Sequence, residues 1–301
     1  MNIWNKIKNC IFDRGYRLRV LIKIGVYNNV SDEEMLIKMY KYIMGKTLNL
    51  KKPTSFNEKI QWLKLYDRKP EYIKLVDKYS VKEYVASIIG SQYIIPTLGV
   101  WDKFSDINFE ELPPEFVLKC THDSGGVWVI KDKKFLKGIK KKVEKCLKVN
   151  FYYTSREWPY KYIQPRIIAE KYMGNKSKDL CDYKLMCFNG KVKCIFVCSN
   201  RKSESGLNVT FFDLDWKRLP FERKYPVNPN IIERPKTFEE MVILAEKLSK
   251  NIPFVRIDFY EIDDKPYFGE ITFYPGAGFE KFEPEEWDEV LGSWIKLPID
   301  E

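Results

Sequence analysis

The stretch FVRIDFYEIDDKPYFGEITFYPG, Phe254 to Gly276, reads as two apolar-rich strands, Phe254 to Tyr260 and Tyr267 to Phe273, joined by a turn at Asp263, Asp264 and Lys265. With the turn centred on Asp264, antiparallel pairing sets Asp258 opposite Glu270 and Arg256 opposite Thr272. Side chains alternate across a strand, so all four project from one face. Two carboxylates side by side on buried strands repel each other unless a cation lies between them. Hard oxygen donors of this kind suit Mg²⁺, which is usually held by one or two carboxylates plus substrate phosphates. An ordinary ion pair between Asp258 and Arg256 explains the same residues, and a turn one residue longer or shorter breaks the pairing.

A second feature is the turn His122-Asp123-Ser124-Gly125-Gly126 between FVLKCT and VWVI. A glycine pair lets backbone N–H groups approach phosphate oxygens, and Lys119 stands on the incoming strand as a point charge for the same phosphates. The glycine pair leads into a strand and not a helix, so the motif is neither a P-loop nor a dinucleotide fingerprint. A plain hairpin turn explains it equally well. His122 is a candidate base or a structural residue beside a turn, and Cys120 alternates onto the face opposite Lys119 and reads as core. A third feature is RIIAEKYM, Arg166 to Met173, a strand whose backbone can run along the edge of an adenine.

Composition bounds the rest. The 301 residues with 45% apolar content suffice for a sizeable core. Seven cysteines without C-x-x-C spacing read as reduced core residues rather than zinc ligands or disulfides. A single histidine excludes multi-histidine metal sites and leaves acid–base work to carboxylates, Lys or Tyr. The net charge of +10, densest at Lys6 to Lys23 and Lys131 to Lys148, favours an anionic partner or marks a solvated basic face. Nucleic acid is disfavoured because no helix-turn-helix, zinc finger or aromatic RNA-binding signature is present. The absence of an export signal or a spanning apolar run points to the cytosol. Met1 to Val20 mixes apolar and basic residues, as a helix on the inner membrane surface does, or as an ordinary docked helix does.

Along the chain, Ser31-x-x-Glu34 and Ser55-x-x-Glu58 mark helix starts in a helical front segment. From Pro114 strands take over: a hairpin, a Lys-rich helix from Lys133 to Val149, an aromatic loop, and the strand from Arg166. A polar turn at Gly174 to Lys178 precedes strands Tyr183 to Phe188 and Lys191 to Cys198, joined at Asn189-Gly190. Thr237-x-x-Glu240 caps a further helix. No internal repeat is present, and an α+β enzyme with lobes is the economical architecture.

Taken in order, these pieces resemble the ATP-grasp superfamily. VDKYSVKEYV, with Lys78 and Lys82, is similar to its Asp-Lys helix, and FVLKC with Lys119 to its second nucleotide lysine. DSGGV resembles its mobile phosphate-covering loop, AEKYM its adenine-bordering hinge, and RIDFY with FGEITFYPG its magnesium strands. PTSFNEKIQWLKLYDR, SREWPY, DYKLMCFNG and FFDLDW add a resemblance to the TupA-like branch, whose members are encoded with bacterial surface-polysaccharide and teichuronopeptide genes and are often labelled glycosyltransferases. The resemblance implies an α+β ATP-grasp fold: a helical N-terminal lobe (1–75), a nucleotide-binding lobe with the glycine loop (76–173) and a catalytic, metal-holding lobe (174–301). It implies ATP and Mg²⁺ as cofactors, with nucleotide contacts from Lys78, Lys119, Ser124, Gly125, Gly126, Glu170, Lys171, Tyr172 and Met173, and metal ligands Asp258, Glu270 and Thr272. Thr272 stands where the superfamily usually has Asn, so only a hydroxyl reaches the metal or a water fills the gap. The front segment is too poor in strands for the Rossmann-like lobe of many relatives.

The activity expected is amide formation between a carboxylate and an amine through an acyl phosphate, with Arg256 on the transferring group and Lys184 and Arg201 as further substrate or γ-phosphate contacts. The acceptor expected is a uronic-acid or amino-acid unit of an anionic glycan. Rival readings are a sugar kinase, a glycosyltransferase, for which Asp213-Leu214-Asp215 is a literal D-x-D match or else a polar turn before Trp216, and a catalytically dead module that keeps the fold for polymer recognition.

Overall fold

Polar caps set the front helices. A computed structural model describes residues 4, 12–174, 181–200 and 206–298. Its first helices are α1 (Arg14–Lys23), α2 (Asp32–Ile43), α3 (Phe56–Tyr66), α4 (Tyr72–Val76) and α5 (Ser80–Ile89). Ser31 Oγ accepts from Glu34 N at 3.2 Å. Ser55 makes the full reciprocal box, accepting from Glu58 N while Glu58 Oε2 accepts from Ser55 N, both at 3.3 Å. Helices α1 and α2 bury Leu18, Ile22, Met35 and Met39 against one another. Of the basic N-terminal stretch, residues 1–3 and 5–11 lie outside the described residues.

Helix α3 sends its apolar stripe elsewhere. Phe56, Ile60, Trp62 and Leu63 enter the main core, where Phe56 meets Phe254 edge-on at 4.9 Å.

Two antiparallel sheets carry the rest. The first has the order β1-β4-β2-β3, from β1 (Thr97–Trp101), β2 (Phe116–Cys120), β3 (Val127–Ile130) and β4 (Ile167–Lys171). Helix α6 (Leu136–Leu147) covers it with Val143. The second, order β10-β9-β5-β6-β7, uses β5 (Asp182–Phe188), β6 (Lys191–Ser199), β7 (Asn208–Phe212), β9 (Phe254–Ile262) and β10 (Lys265–Thr272). Between them in sequence fall α7 (Tyr152–Ser155), the two-residue β8 (Glu222–Arg223) and α8 (Phe238–Leu248). Helix α8 packs Met241, Leu244 and Leu248 into the main core. Strand β11 (Phe282–Glu283) pairs with β8, and α9 (Glu286–Ser293) closes the described chain against α3. Asn189 and Gly190 turn β5 into β6 with positive φ at both, as a two-residue hairpin loop requires.

Three local expectations need correction. The closing turn is centred between Asp263 and Asp264, both left-handed (φ 52° and 55°), not on Asp264. That one-residue offset is absorbed at Gly269, where the register slips between Phe268 and Glu270, so Asp258 still faces Glu270 and Arg256 still faces Thr272. Thr237 does not cap α8 with its side chain; both its hydroxyl and its backbone N–H donate to Glu261 Oε2, at 2.7 and 2.8 Å. Finally, the strand expected over Arg166 to Met173 spans only Ile167–Lys171. The turn after it falls largely on residues 175–180, outside the described residues. The described cysteines are all free thiols. Among the described residues, no helix is long and apolar enough to cross a membrane.

Candidate active site

Strand alternation places Arg256, Asp258, Glu270 and Thr272 on one face of the second sheet, and the register of β5 against β9 brings Lys184 opposite Asp258. Arg256 grips Asp258 with two parallel bonds, Nε to Oδ1 at 2.7 Å and Nη2 to Oδ2 at 2.8 Å, and reaches Glu270 Oε1 at 2.6 Å. Thr272 Oγ1 donates to the same Glu270 oxygen at 3.2 Å. Lys184 Nζ bonds Asp258 Oδ2 and pairs with Asp182 Oδ2 at 2.8 Å. Among the described residues, the three carboxylates Asp182, Asp258 and Glu270 thus cluster with the cations Lys184 and Arg256.

Burial disfavours charge on both central carboxylates. For Asp258, 1% exposed, burial prevails over Arg256 and Lys184 and lifts the group to about 6. For Glu270, Arg256, Lys184 and Lys78 outweigh burial and bring it down to about 2. The Glu270 side chain is 43% exposed, but the space it faces is a cavity walled by protein. Burial likewise opposes the charge on Lys184, yet Asp258, Asp182 and Glu270 hold it above the usual lysine range.

That cavity, about 460 Å³, is where the separate sequence features meet: Lys78, Asp123 and Ser124 line it together with Arg256, Glu270 and Thr272. Lys78 is pinned to the glycine turn, donating to Cys120 O at 3.1 Å and to the Asp123 carbonyl, with its ammonium 3.3 Å from Asp123 Oδ1. Gly125 takes φ +101°, and an added Cβ there would meet nothing within 4 Å. At Gly126 a Cβ would lie 2.4 Å from Asp123 Oδ2, so a side chain there would displace the Asp123 carboxylate that pairs with Lys78.

The hinge residues are arranged differently from their neighbours. Glu170 is 4% exposed and sits between two lysines, bonding Lys82 and pairing with Lys119 at 2.5 Å. Burial raises its pKa, but the two lysines more than reverse this and hold it below the usual carboxylate range. Lys171 and Tyr172 line a separate groove of about 750 Å³ with Leu98 and Pro113, and Lys131 stands over the Tyr172 ring at 5.3 Å. Met173 lies just beyond the end of β4.

Arg201 lies outside the described residues. His122 is 2% exposed, with Nε2 3.2 Å from Cys146 O, and packs against α6 rather than facing the cavity. Asp213 accepts from the backbone of Asp215 at 3.0 Å and of Lys217 at 2.8 Å, so the D-x-D sequence is a polar turn stabilised by its own carboxylate.

Three groups escaped sequence reasoning. Asp182 completes the carboxylate cluster, and its place two residues before Lys184 on β5 was a legible signal. Lys64 lies on the apolar stripe of α3 and is wholly buried, its ammonium shared among Gln61 Oε1 (3.0 Å), Ser155 O (3.0 Å) and Ala277 O (2.7 Å). Burial lowers it to about 7. Glu157 lines the cavity from an irregular loop, where no periodicity could point to it.

Whether the cluster fits Mg²⁺ turns on its donors. Among the described residues no group of three His, Cys, Asp or Glu side chains is arranged to hold a metal. Both Asp258 oxygens are taken by Arg256 and Lys184, whereas Glu270 and Thr272 face the cavity. Glu270 and Thr272 present hard oxygen donors to the cavity, the donor chemistry that suits a divalent cation.

A family described as TupA-like ATPgrasp matches residues 58–296. No curated protein matches the chain. Among solved structures it is similar to D-alanine–D-alanine ligase from Bacillus anthracis complexed with ATP (16% identity, 73% of this chain and 58% of that one, TM-score 0.41). It is also similar to the Helicobacter pylori D-alanine–D-alanine ligase (14%, 81% and 70%, 0.42) and to a RimK domain protein ATP-grasp from Sphaerobacter thermophilus (10%, 76% and 70%, 0.42). The chain therefore spans less than two thirds of the first of these.

Proposed function

The chain belongs to the TupA-like ATP-grasp family, an α+β fold, and on that premise we propose that it is an ATP- and Mg²⁺-dependent ligase joining a carboxylate to an amine. The observation that carries this reading is the shared cavity. Lys78 and Ser124 from one side and Arg256, Glu270 and Thr272 from the other converge on a space of about 460 Å³.

In this reading Lys78, Lys119 and the backbone of Ser124, Gly125 and Gly126 receive the phosphates, while the stretch from Glu170 to Met173 borders the adenine. Glu270 and Thr272 hold the metal, with Asp258 behind them. When bound, Mg²⁺ supplies neutralisation of phosphate charge. Arg256, released from Glu270, turns to the transferring phosphoryl group, and Lys184 keeps Asp258 ionised. Arg201 is the further contact to the substrate or γ-phosphate, whereas Lys184, held between Asp258 and Asp182, does not line the cavity. The acceptor is a uronic-acid or amino-acid unit of an anionic surface glycan, met on the cytoplasmic side and at the inner membrane face. The basic face from Lys131 to Lys148 supports such a partner.

The test supplies ATP and Mg²⁺ with glucuronate or D-glutamate as acid and a panel of amines. Release of ADP and phosphate only with both acceptors present supports the ligase. ADP without phosphate turns the assignment to a kinase, and turnover of a UDP-sugar with indifference to ATP overturns it.

A further inference from the structure

Four carboxylates line the cavity: Asp123, Glu157, Glu270 and Glu280. Three are neutralised by a basic side chain, Asp123 by Lys78 at 3.3 Å, Glu270 by Arg256 at 2.6 Å and Glu280 by Arg223 at 2.8 Å. Glu157 is 6% exposed and has no ion-pair partner among the described residues; its Oε1 accepts from Ser155 Oγ at 2.7 Å. Lys64 acts on Glu157 only through space, and a buried carboxylate without a directly bonded cation is costly, a cost that a proton or an N–H donor from a ligand relieves.

The loop that carries Glu157 is held stiffly. Arg156 adopts φ +57° and is fixed by Tyr152 Oη at 2.9 Å and by the Tyr27 carbonyl. Lys64 fastens Ser155 O from below, its hydrogens directed at oxygens rather than at the Glu157 carboxylate. The side chain is therefore presented to the cavity with little freedom to withdraw. His122, the chain's one imidazole, does not reach this space.

We propose that Glu157 is the carboxylate that receives the amine nucleophile and takes its proton. This rests on the ligase reading above. The nitrogen lone pair forms the C–N bond to the acyl carbon, the C–O bond to phosphate breaks with its electron pair leaving on inorganic phosphate, and one N–H proton passes to Glu157. Burial raises the pKa of Glu157, with Lys64 and the Ser155 hydroxyl pulling the other way, which suits a proton acceptor.

Two measurements decide it. In the first, the protein is given ATP, Mg²⁺ and glucuronate with either glycine or hydroxylamine, which captures acyl phosphates without enzymatic help. For Glu157→Gln, amide formation with glycine falls about 100-fold while hydroxamate is still formed. Parallel loss of both products, or loss of neither, overturns the assignment. If the wild-type chain forms no hydroxamate, the ligase reading fails instead, and the second measurement decides the amine site alone. There the native wild-type protein is treated with a water-soluble carbodiimide and glycine methyl ester and mapped by mass spectrometry. Amidation of Glu157 supports it as an amine-accessible carboxylate, and labelling of surface carboxylates without Glu157 overturns it.

Discussion

Arg256 is the cation on which both central carboxylates lean, and it is itself only 9% exposed. Removing one partner from a buried charge cluster leaves the others desolvated and unpaired, which typically costs 3–5 kcal/mol. Arg256→Met should therefore lower unfolding stability by about 3 kcal/mol or more in urea titration; a loss under about 1 kcal/mol would show that Lys184 alone neutralises the cluster. His122 offers an independent check because its imidazole signal needs no assignment. Burial depresses its pKa, outweighing the opposing pull of Asp123, so the ring should titrate below the ordinary value of about 6.5. Between that depressed value and 6.5 the unfolded chain binds the proton first. The stability His122 contributes is complete above 6.5 and is lost as pH falls through this window. An NMR midpoint above 6.5 would show that burial does not dominate at this ring and contradict its packed environment.

At the scale of elements, the facing of Asp258 and Glu270 was legible because strand alternation has a fixed period of two. The turn was not. Two consecutive aspartates in the left-handed region make a tighter loop than one centred on Asp264, and the register survives only because Gly269 takes up the slip. A glycine inside a strand is a known mark of such a bulge and was the signal to read. A Cβ at Gly269 would stand 3.1 Å from Tyr260 Cε2 and 3.2 Å from the Asp258 carbonyl oxygen. Gly269→Val should cost about 1–3 kcal/mol by thermal or chemical unfolding; an unchanged midpoint would mean the bulge tolerates a side chain. Thr237 shows the opposite failure. Its spacing to Glu240 matches a capping box, but a long-range carboxylate, Glu261, takes both its hydroxyl and its backbone N–H as donors and orients the residue away from the capping geometry. Glu157 and Lys64 were illegible for a related reason, since loop conformation and burial by distant segments leave no periodic trace.

Across the whole molecule, the front helix α3 is fastened to the chain's far end. Asn57 N donates to Asp288 Oδ1 at 2.9 Å, Lys59 Nζ to Ile295 O at 2.7 Å, and Gln61 Nε2 to Gly278 O at 2.7 Å. Together with Lys64, these bonds set the segment after Thr272 and so shape the cavity from both ends of the sequence. The central claim is that this cavity binds ATP through Lys78 on one side and a metal at Glu270 on the other. Calorimetric unfolding with and without ATP in the presence of Mg²⁺ tests it most directly, because a ligand at 100 times its Kd stabilises the native state by about 2.7 kcal/mol. ATP should stabilise the wild-type chain in a Mg²⁺-dependent way, and Glu270→Gln and Lys78→Met should each remove most of that gain, measured against each variant's own unliganded transition. No stabilisation of the wild type by ATP and Mg²⁺, or an undiminished gain in both variants, would contradict it.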